Sequence, residues 1–324
     1  MAATTARKKI VGTLLLVMVP LVLLYNWLTI FDWIRLFGYE PPAHITEITE
    51  QTGMTDKAKN LFFVHHPVVE PNKATFSGRC NEAEKTIVLG CYIRGNGIYL
   101  YAVDDPRLAG IIEVTAAHEM LHAAYDRLSN TERDDLNQQL QAVFAALDND
   151  RLKKTIEAYR AADPSSVPNE LHSILGSEVR TLTPTLEEYY ARYFFDRLAV
   201  VGLAEKYEQA FTSREQQREA YDKELETLKG NITQLNESLG ARETIINQQY
   251  SSLINLRNQG FISDFNAGID AYNQNVNEYN NDVRTVQELI KTYNEIVEKR
   301  NELVIEENQL IQALDSRPST LQTQ

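Results

Sequence analysis

The distribution of hydrophobic positions divides the chain into three parts. A largely apolar run without a charge fills residues 10–31, a mixed region covers 55–197, and heptad spacing begins near residue 198. The apolar run carries no charge and matches the roughly 20 residues that cross about 30 Å of hydrocarbon. We therefore predict a transmembrane helix over 10–31, preceded by a cytoplasmic segment, 1–9, and followed by a linker, 32–54.

The residues that flank the apolar run predict its orientation. Arg7, Lys8 and Lys9 precede it, and positive charge favours the cytoplasmic side. Trp27 and Trp33 lie near the far end, where aromatic residues are common at the membrane interface. A cleaved signal peptide is the alternative, but the run is long for one and no small-residue cleavage site follows. We expect a single-pass cell-membrane protein whose bulk is extracytoplasmic.

The most distinctive motif of the mixed region is His118-Glu119-Met120-Leu121-His122. The surrounding residues, 111–126, are apolar almost all round, which predicts a buried helix. Residues four apart share one helix face, so His118 and His122 can bind one zinc ion, with Glu119 beside it as general base. The alternative is two partly buried core histidines. The apolar context favours a metal because buried ionisable groups need partners.

A hydrolytic zinc needs a third protein ligand and an open position. A second helix is predicted from Val167, because Pro168 suits a first helical turn. Glu170 is our choice of third ligand, and Glu178, two turns further on, is the alternative. An ordinary first-turn acid, favoured by the helix dipole, is the competing interpretation of Glu170. Asp126, one turn after His122, is predicted to orient that imidazole.

The pair His118-Glu119-x-x-His122 and Asn169-Glu170-x-x-Ser173 resembles the two-helix zinc site of gluzincin metallopeptidases. The resemblance covers about residues 60–200. It implies a zincin-like fold, Zn²⁺ held by two histidines and Glu170, and Glu119 activating water to hydrolyse a peptide or protein substrate. Ile174 departs from the thermolysin-type second motif, and Tyr125 departs from the metzincin motif.

Peptide hydrolysis also requires a group that stabilises the oxyanion of the transition state. The candidates are Tyr190 and Tyr193, in the predicted helix TLEEYYARYF, and His172. Packing roles are the alternative for each of them.

Two β-rich runs precede the histidine helix, at 86–89 and 97–103, with Gly95-Asn96-Gly97 between them. This order predicts a β-hairpin. The strand 97–103 is expected to be an edge that holds an extended substrate by β-augmentation. The fold class is therefore α+β and mostly helical, with a small sheet in a zincin-like domain over 55–197.

Composition adds two expectations. Cys80 and Cys91 are the only cysteines. In an oxidising compartment they are expected to form a disulfide, although two free buried thiols are the alternative. The net charge of −13, without a basic stripe, argues against nucleic acid as a partner.

Heptad spacing over 198–316 predicts a coiled coil. An interruption at 258–263 predicts two helices in an antiparallel hairpin, with an intermolecular dimer as the alternative. The second helix has a seam that includes Val286, Ile290 and Val297, with Arg300 and Glu307 at seam positions. The hairpin is predicted to be a spacer or a surface for a protein partner or self-association. Residues 317–324 are predicted to be disordered.

Two functions from different classes fit these features. The first is a membrane-anchored extracytoplasmic zinc metallopeptidase with a coiled-coil arm. The second is a non-enzymatic envelope scaffold or adaptor, in which a degenerate zincin domain supports an interacting coiled coil. The presence of every expected zinc ligand favours the enzyme.

Overall fold

The computed structural model describes residues 26–80 and 88–317. These residues are mostly helical, with a small mixed sheet and a long helical hairpin, as predicted. The predicted segment 1–9, residues 10–25 of the predicted membrane span and residues 318–324 of the predicted tail lie outside them. Of the described residues, those up to Ala210 and those from Leu310 onward form one compact unit, and Phe211–Gln309 form another.

Three helices precede the sheet. They are α1 (Trp27–Leu36), α2 (Ala43–Gln51) and α3 (Asp56–Val64). The prediction that 32–54 is a linker is wrong for this part of the chain, because α2 buries Ile45 and Ile48 in the core. The adjacent prolines Pro41-Pro42 and the surrounding polar residues favoured a linker, although Ile45 and Ile48 are apolar. Among the described residues, no helix has the length and apolarity needed to cross a membrane.

The sheet has three strands in the order β1, β3, β2. They are β1 (Val68–Glu70), β2 (Gly90–Ile93) and β3 (Gly97–Tyr101), and helix α4 (Lys73–Arg79) follows β1. β1 pairs parallel with β3, and β2 pairs antiparallel with it. The prediction that 97–103 is an edge strand is wrong, because the short β1 covers the other side of β3. The edge strand next to the histidine helix is β2.

Cys80 and Cys91 form the predicted disulfide, with their Cα atoms 5.8 Å apart. Cys80 follows α4, and Cys91 lies within β2. The bond therefore ties the end of α4 to the edge strand.

Five helices follow the sheet and surround the motif. The first, α5, has no exposed residue and contains the H-E-x-x-H residues. Gly110 precedes α5 with φ +105°, a conformation that disfavours residues with a side chain. A reciprocal capping box of Ser129 and Glu132 begins α6. The five helices are α5 (Ile111–Asp126), α6 (Asn130–Ala146), α7 (Asp150–Ala162), α8 (Val167–Glu178) and α9 (Pro184–Tyr190).

Gly176 allows α8 to approach α5 closely. A Cβ atom built on Gly176 would lie 2.6 Å from Leu121 Cδ1 and 2.6 Å from Tyr190 Cε1. Both neighbours are fully buried, so neither side chain has space to move away. The absence of a side chain at Gly176 therefore sets the distance between the two helices that carry the candidate site.

Gly176→Ala is expected to lower the free energy of unfolding by about 1–3 kcal/mol, the usual cost of overpacking a core. Gly202→Ala is the matched control, because Gly202 is also helical and has no atom within 4 Å of an added Cβ. That control should be stabilising by up to about 1 kcal/mol. Urea unfolding of both variants measures the difference, and equal stability of the two would contradict this packing.

Two long helices, α10 (Arg197–Asn258) and α11 (Ile262–Leu314), contain the heptads. Within Phe211–Gln309 they run antiparallel. Arg214 Nε lies 2.8 Å from Glu306 Oε2 near one end, and Asn275 donates to Gln249 Oε1 at 3.0 Å near the other. Gly260, with φ +80°, makes the turn between them. The predicted hairpin is therefore confirmed.

The predicted seam of α11 is partly wrong. Ile290 is 43% exposed, whereas Ile296, which the prediction omitted, is 5% exposed. After Val286 the buried positions step by three and then four residues, rather than four and then three. Both sets are apolar, so spacing alone cannot distinguish them. Arg300, a charged seam residue, pairs with Asp222 of the opposite helix.

Candidate metal centre

His118 and His122 lie one turn apart on α5, as the motif predicts. Their rings meet edge to face, with centroids 4.6 Å apart. One potential ligand atom from each of His118, Glu119 and His122 lies within 4.8 Å of the others. This group can therefore hold a metal ion.

Glu170, in the first turn of α8, faces both imidazoles. His118 Nε2 lies 3.6 Å from Glu170 Oε2, and His122 Nε2 lies 3.6 Å from Glu170 Oε1. The carboxylate is 6% exposed. Close packing of α8 on α5 thus brings together the three residues that the sequence proposed as ligands.

These distances suit a tetrahedral metal ion. Zinc bonds of about 2.0–2.2 Å to nitrogen and oxygen place two ligand atoms roughly 3.4 Å apart. The observed 3.6 Å separations are close to that value but too long for hydrogen bonds. Glu170 Oε2 is also buried without a hydrogen-bond partner among the described residues. The two-histidine, one-carboxylate set therefore fits zinc in chemistry, and each histidine–glutamate separation is compatible with a shared zinc ion.

The buried carboxylates of the centre favour a positive charge beside them. Burial lowers the pKa of His118, but contact with Glu170 and the charges of nearby carboxylates outweigh it and raise that pKa to about 9. Burial raises the pKa of Glu170, yet the two imidazoles and a hydrogen bond from Tyr159 bring it below its ordinary value. Burial keeps the pKa of His122 low. A carboxylate that stays ionised while buried needs a cation beside it.

Glu119 is buried beside the two histidines and faces β2. A Cβ atom built on Gly90 would lie 2.9 Å from Glu119 Oε1 and 2.6 Å from Thr115 Cγ2. Only glycine therefore allows the edge strand to pass this close to α5. The carboxylate of Glu119 lies between the imidazoles and the edge strand.

A cavity of about 390 Å³ opens over this group. β2 and the loop before it form one wall, and α5, α7, α8 and Tyr207 form the others. The sequence interpretation missed three of its lining residues, Arg151, Tyr159 and Tyr207. Tyr159 had a signal, because it continues the helical face of Leu152 and Ile156, both buried. A tyrosine hydroxyl on the helix face that packs against the core indicates a hydrogen-bond partner inside the protein.

Glu178 also lines the cavity, but it has a different partner. Arg151 Nη2 donates to Glu178 Oε2 at 2.7 Å, and Arg151 also pairs with Glu208. Glu178 acts on His118 only through its charge. Of the two candidates for third ligand, Glu170 alone faces both imidazoles.

The three candidate stabilisers do not line the cavity. Tyr190 is fully buried and donates to the His172 main-chain oxygen at 2.7 Å. His172 is fully buried, pairs with the Tyr189 hydroxyl at 2.9 Å, and burial lowers its pKa to about 3. Tyr193 is 2% exposed, under the ammonium of Lys57. The prediction that one of these residues stabilises the oxyanion is therefore corrected. All three side chains are buried in the core and do not line the cavity.

Asp126 does not orient His122. Arg94 binds the carboxylate of Asp126 with two hydrogen bonds, the Nε one at 2.7 Å. The prediction is corrected, because an arginine from the end of β2 takes both oxygens. Asp126 acts on His122 only through its charge, which opposes the lowering of the His122 pKa.

The outer edge of β2 faces the cavity. The main-chain N–H of Tyr101 donates to Leu89 O at 2.7 Å, so alternate residues of β2 point towards β3. The main-chain groups of Gly90 and Tyr92 therefore point to the open edge. Ser316 Oγ donates to Val88 O at 2.6 Å. Among residues 26–80 and 88–317, the part of this edge without main-chain partners begins at Gly90, beside Glu119.

No protein-family model, curated protein or solved structure matches this chain.

Proposed function

We propose that this chain is a membrane-anchored extracytoplasmic zinc peptidase with a zincin-like catalytic domain. The observation that supports it most is the convergence of His118, His122 and Glu170, with Glu170 oxygens 3.6 Å from both imidazoles. Two histidines and one glutamate are a ligand set of hydrolytic zinc sites. Glu119, buried at the same point, supplies a base.

Zinc in this position would acidify a water molecule and polarise a substrate carbonyl. The side chains of the protein would carry out the proton transfers. Glu119 would accept the proton of the attacking water and pass it to the leaving amine, as a general acid–base group does. Tyr159, whose hydroxyl already contacts Glu170, would hold that carboxylate in place.

The edge of β2 supports a peptide as the substrate. Gly90 and Tyr92 present main-chain donors and acceptors beside the candidate centre. An extended peptide can add to such an edge through main-chain hydrogen bonds, which are independent of its sequence. The peptide bond would then pass Glu119 at the point where Gly90 comes closest.

The disulfide supports an extracytoplasmic location. Cys80 and Cys91 are bonded, and disulfides persist mainly in oxidising compartments. The uncharged run in 10–31, preceded by Arg7, Lys8 and Lys9, would provide the anchor.

The full chain, purified in detergent and dialysed against limited zinc, is expected to retain about one zinc per chain. His118→Ala should remove that zinc, because the remaining pair cannot complete three protein ligands. His44→Ala is the matched control, because His44 is exposed on α2 and should leave the zinc content unchanged. Elemental analysis of the three proteins measures the content.

The same experiment separates the peptidase from a non-enzymatic scaffold. A wild-type chain without zinc under these conditions would refute the peptidase and favour a degenerate domain. Zinc retained in His118→Ala would place the metal elsewhere.

A further inference from the structure

Helix α1 is an inverted amphipathic helix. Trp27, Leu28, Trp33, Ile34 and Phe37, just past its end, are each more than half exposed. Trp33, Ile34 and Phe37 follow Trp27 by six, seven and ten residues, so these four side chains fall within about 120° of one helix face, and Leu28 lies outside it. We call these four side chains the aromatic face. An ordinary surface helix has the opposite arrangement, with charged residues outward.

The two charged residues of α1 both face the protein. Asp32 binds Arg127 with two hydrogen bonds, at 2.5 and 2.8 Å. Arg35 donates to Val64 O at 3.0 Å and to Asn96 O at 2.9 Å. These contacts hold the helix in one orientation. The aromatic face is therefore a fixed feature of the domain, and its exposure is not the result of a loosely attached helix.

The sequence next to α1 indicates what covers the aromatic face. Residues 10–25, which directly precede it, contain no charged residue. Tryptophan prefers the boundary between hydrocarbon and water, and both tryptophans of the chain lie on this face. An exposed patch of several large apolar side chains on a soluble surface would promote aggregation unless a partner covers it. A bilayer is the partner whose chemistry fits both observations.

We propose that the aromatic face lies in the outer interface of the bilayer and holds the catalytic unit against the membrane. The proposal rests on the membrane anchor of the proposed function, but not on the zinc. Arg127 follows α5 directly, so its pair with Asp32 connects α1 to the helix that carries His118 and His122. Arg127 lies five positions after His122, about 8 Å along a helix. Substrates would then be polypeptide segments close to the membrane surface.

The two tryptophans provide a direct test with the full chain in phosphatidylcholine vesicles. Trp27→Phe leaves Trp33 as the only tryptophan. In vesicles with brominated acyl chains, Trp33 is expected to lose about half of its emission relative to unbrominated vesicles, because an interfacial helix buries its apolar face about 5–10 Å deep. Aqueous acrylamide should quench it weakly.

A matched pair of substitutions tests the face itself. Ile34→Glu places a charge on the aromatic face and should reduce the bromine quenching of Trp33. Ile245→Glu makes the same change at an exposed position of α10 and should leave the quenching unchanged.

The other outcomes each contradict the proposal in a different way. If the chain floats with the vesicles but acrylamide quenches Trp33 and bromine does not, α1 lies in water and the anchor alone survives. Protection from both quenchers would show that a protein, or a second copy, covers the face. A chain that does not float would refute the anchor as well. Zinc content in the same sample reports separately on the peptidase.

Discussion

Replacing Glu119 by Gln is expected to leave zinc bound and to reduce peptide hydrolysis by about 10²- to 10⁴-fold, the usual contribution of a general acid–base group. The amide has the size of the carboxylate but cannot accept the proton of the attacking water. The side chain of Glu119 is buried and lies against Gly90. An isosteric change should therefore preserve the packing of β2 on α5.

The measurement compares hydrolysis of a broad peptide library with zinc content in the same preparation. Glu113→Gln, in the first turn of α5, is the matched control, because Glu113 does not line the cavity. Its activity should equal that of the wild type. Hydrolysis that survives Glu119→Gln at wild-type rate would remove Glu119 from the proposed chemistry.

The local part of the candidate centre could be predicted from the sequence. His118 and His122 are four residues apart, and an almost continuously apolar segment fixes the helix on which that spacing has meaning. The two long helices of the hairpin could be predicted for the same reason, because heptad spacing sustained over many turns is typical of a coiled coil. In both cases the spacing that supports the prediction lies within one helix.

The errors arise where two distant elements meet. Tyr190 and Tyr193 follow α8 closely in sequence, yet they pack behind α5, whereas Tyr159 of α7 reaches the cavity. The local hydrophobic pattern does not indicate which side of α5 either segment will pack against. Likewise, β3 became the central strand because a three-residue strand, Val68–Glu70, pairs with its other side. Such a short run has no detectable alternation.

The choice between Glu170 and Glu178 depended on the same kind of information. Two acids two turns apart lie on similar sides of one helix, so spacing could not separate them. The decisive feature is Arg151, on α7, which binds Glu178 at 2.7 Å and leaves Glu170 to face the imidazoles. The partner of an acid, rather than its position, thus indicates its role.

Glu170→Ala is therefore expected to weaken zinc binding by more than about 100-fold, beyond the 10- to 100-fold typical of groups that only orient a ligand. It removes the one carboxylate that lies 3.6 Å from both imidazoles. Glu178→Ala, the matched change on the same helix, should alter zinc affinity by less than about tenfold, because its charge acts on His118 from a distance.

Competition with a chelator of known zinc affinity measures both variants, and circular dichroism verifies that α8 remains helical. Greater loss of affinity in Glu178→Ala would make Glu178 the ligand and Glu170 an ordinary first-turn acid. Equal and small losses would contradict a three-residue centre altogether. A large loss confined to Glu170→Ala would complete the His-His-Glu set, because the two helices that Gly176 brings together would then supply one binding site.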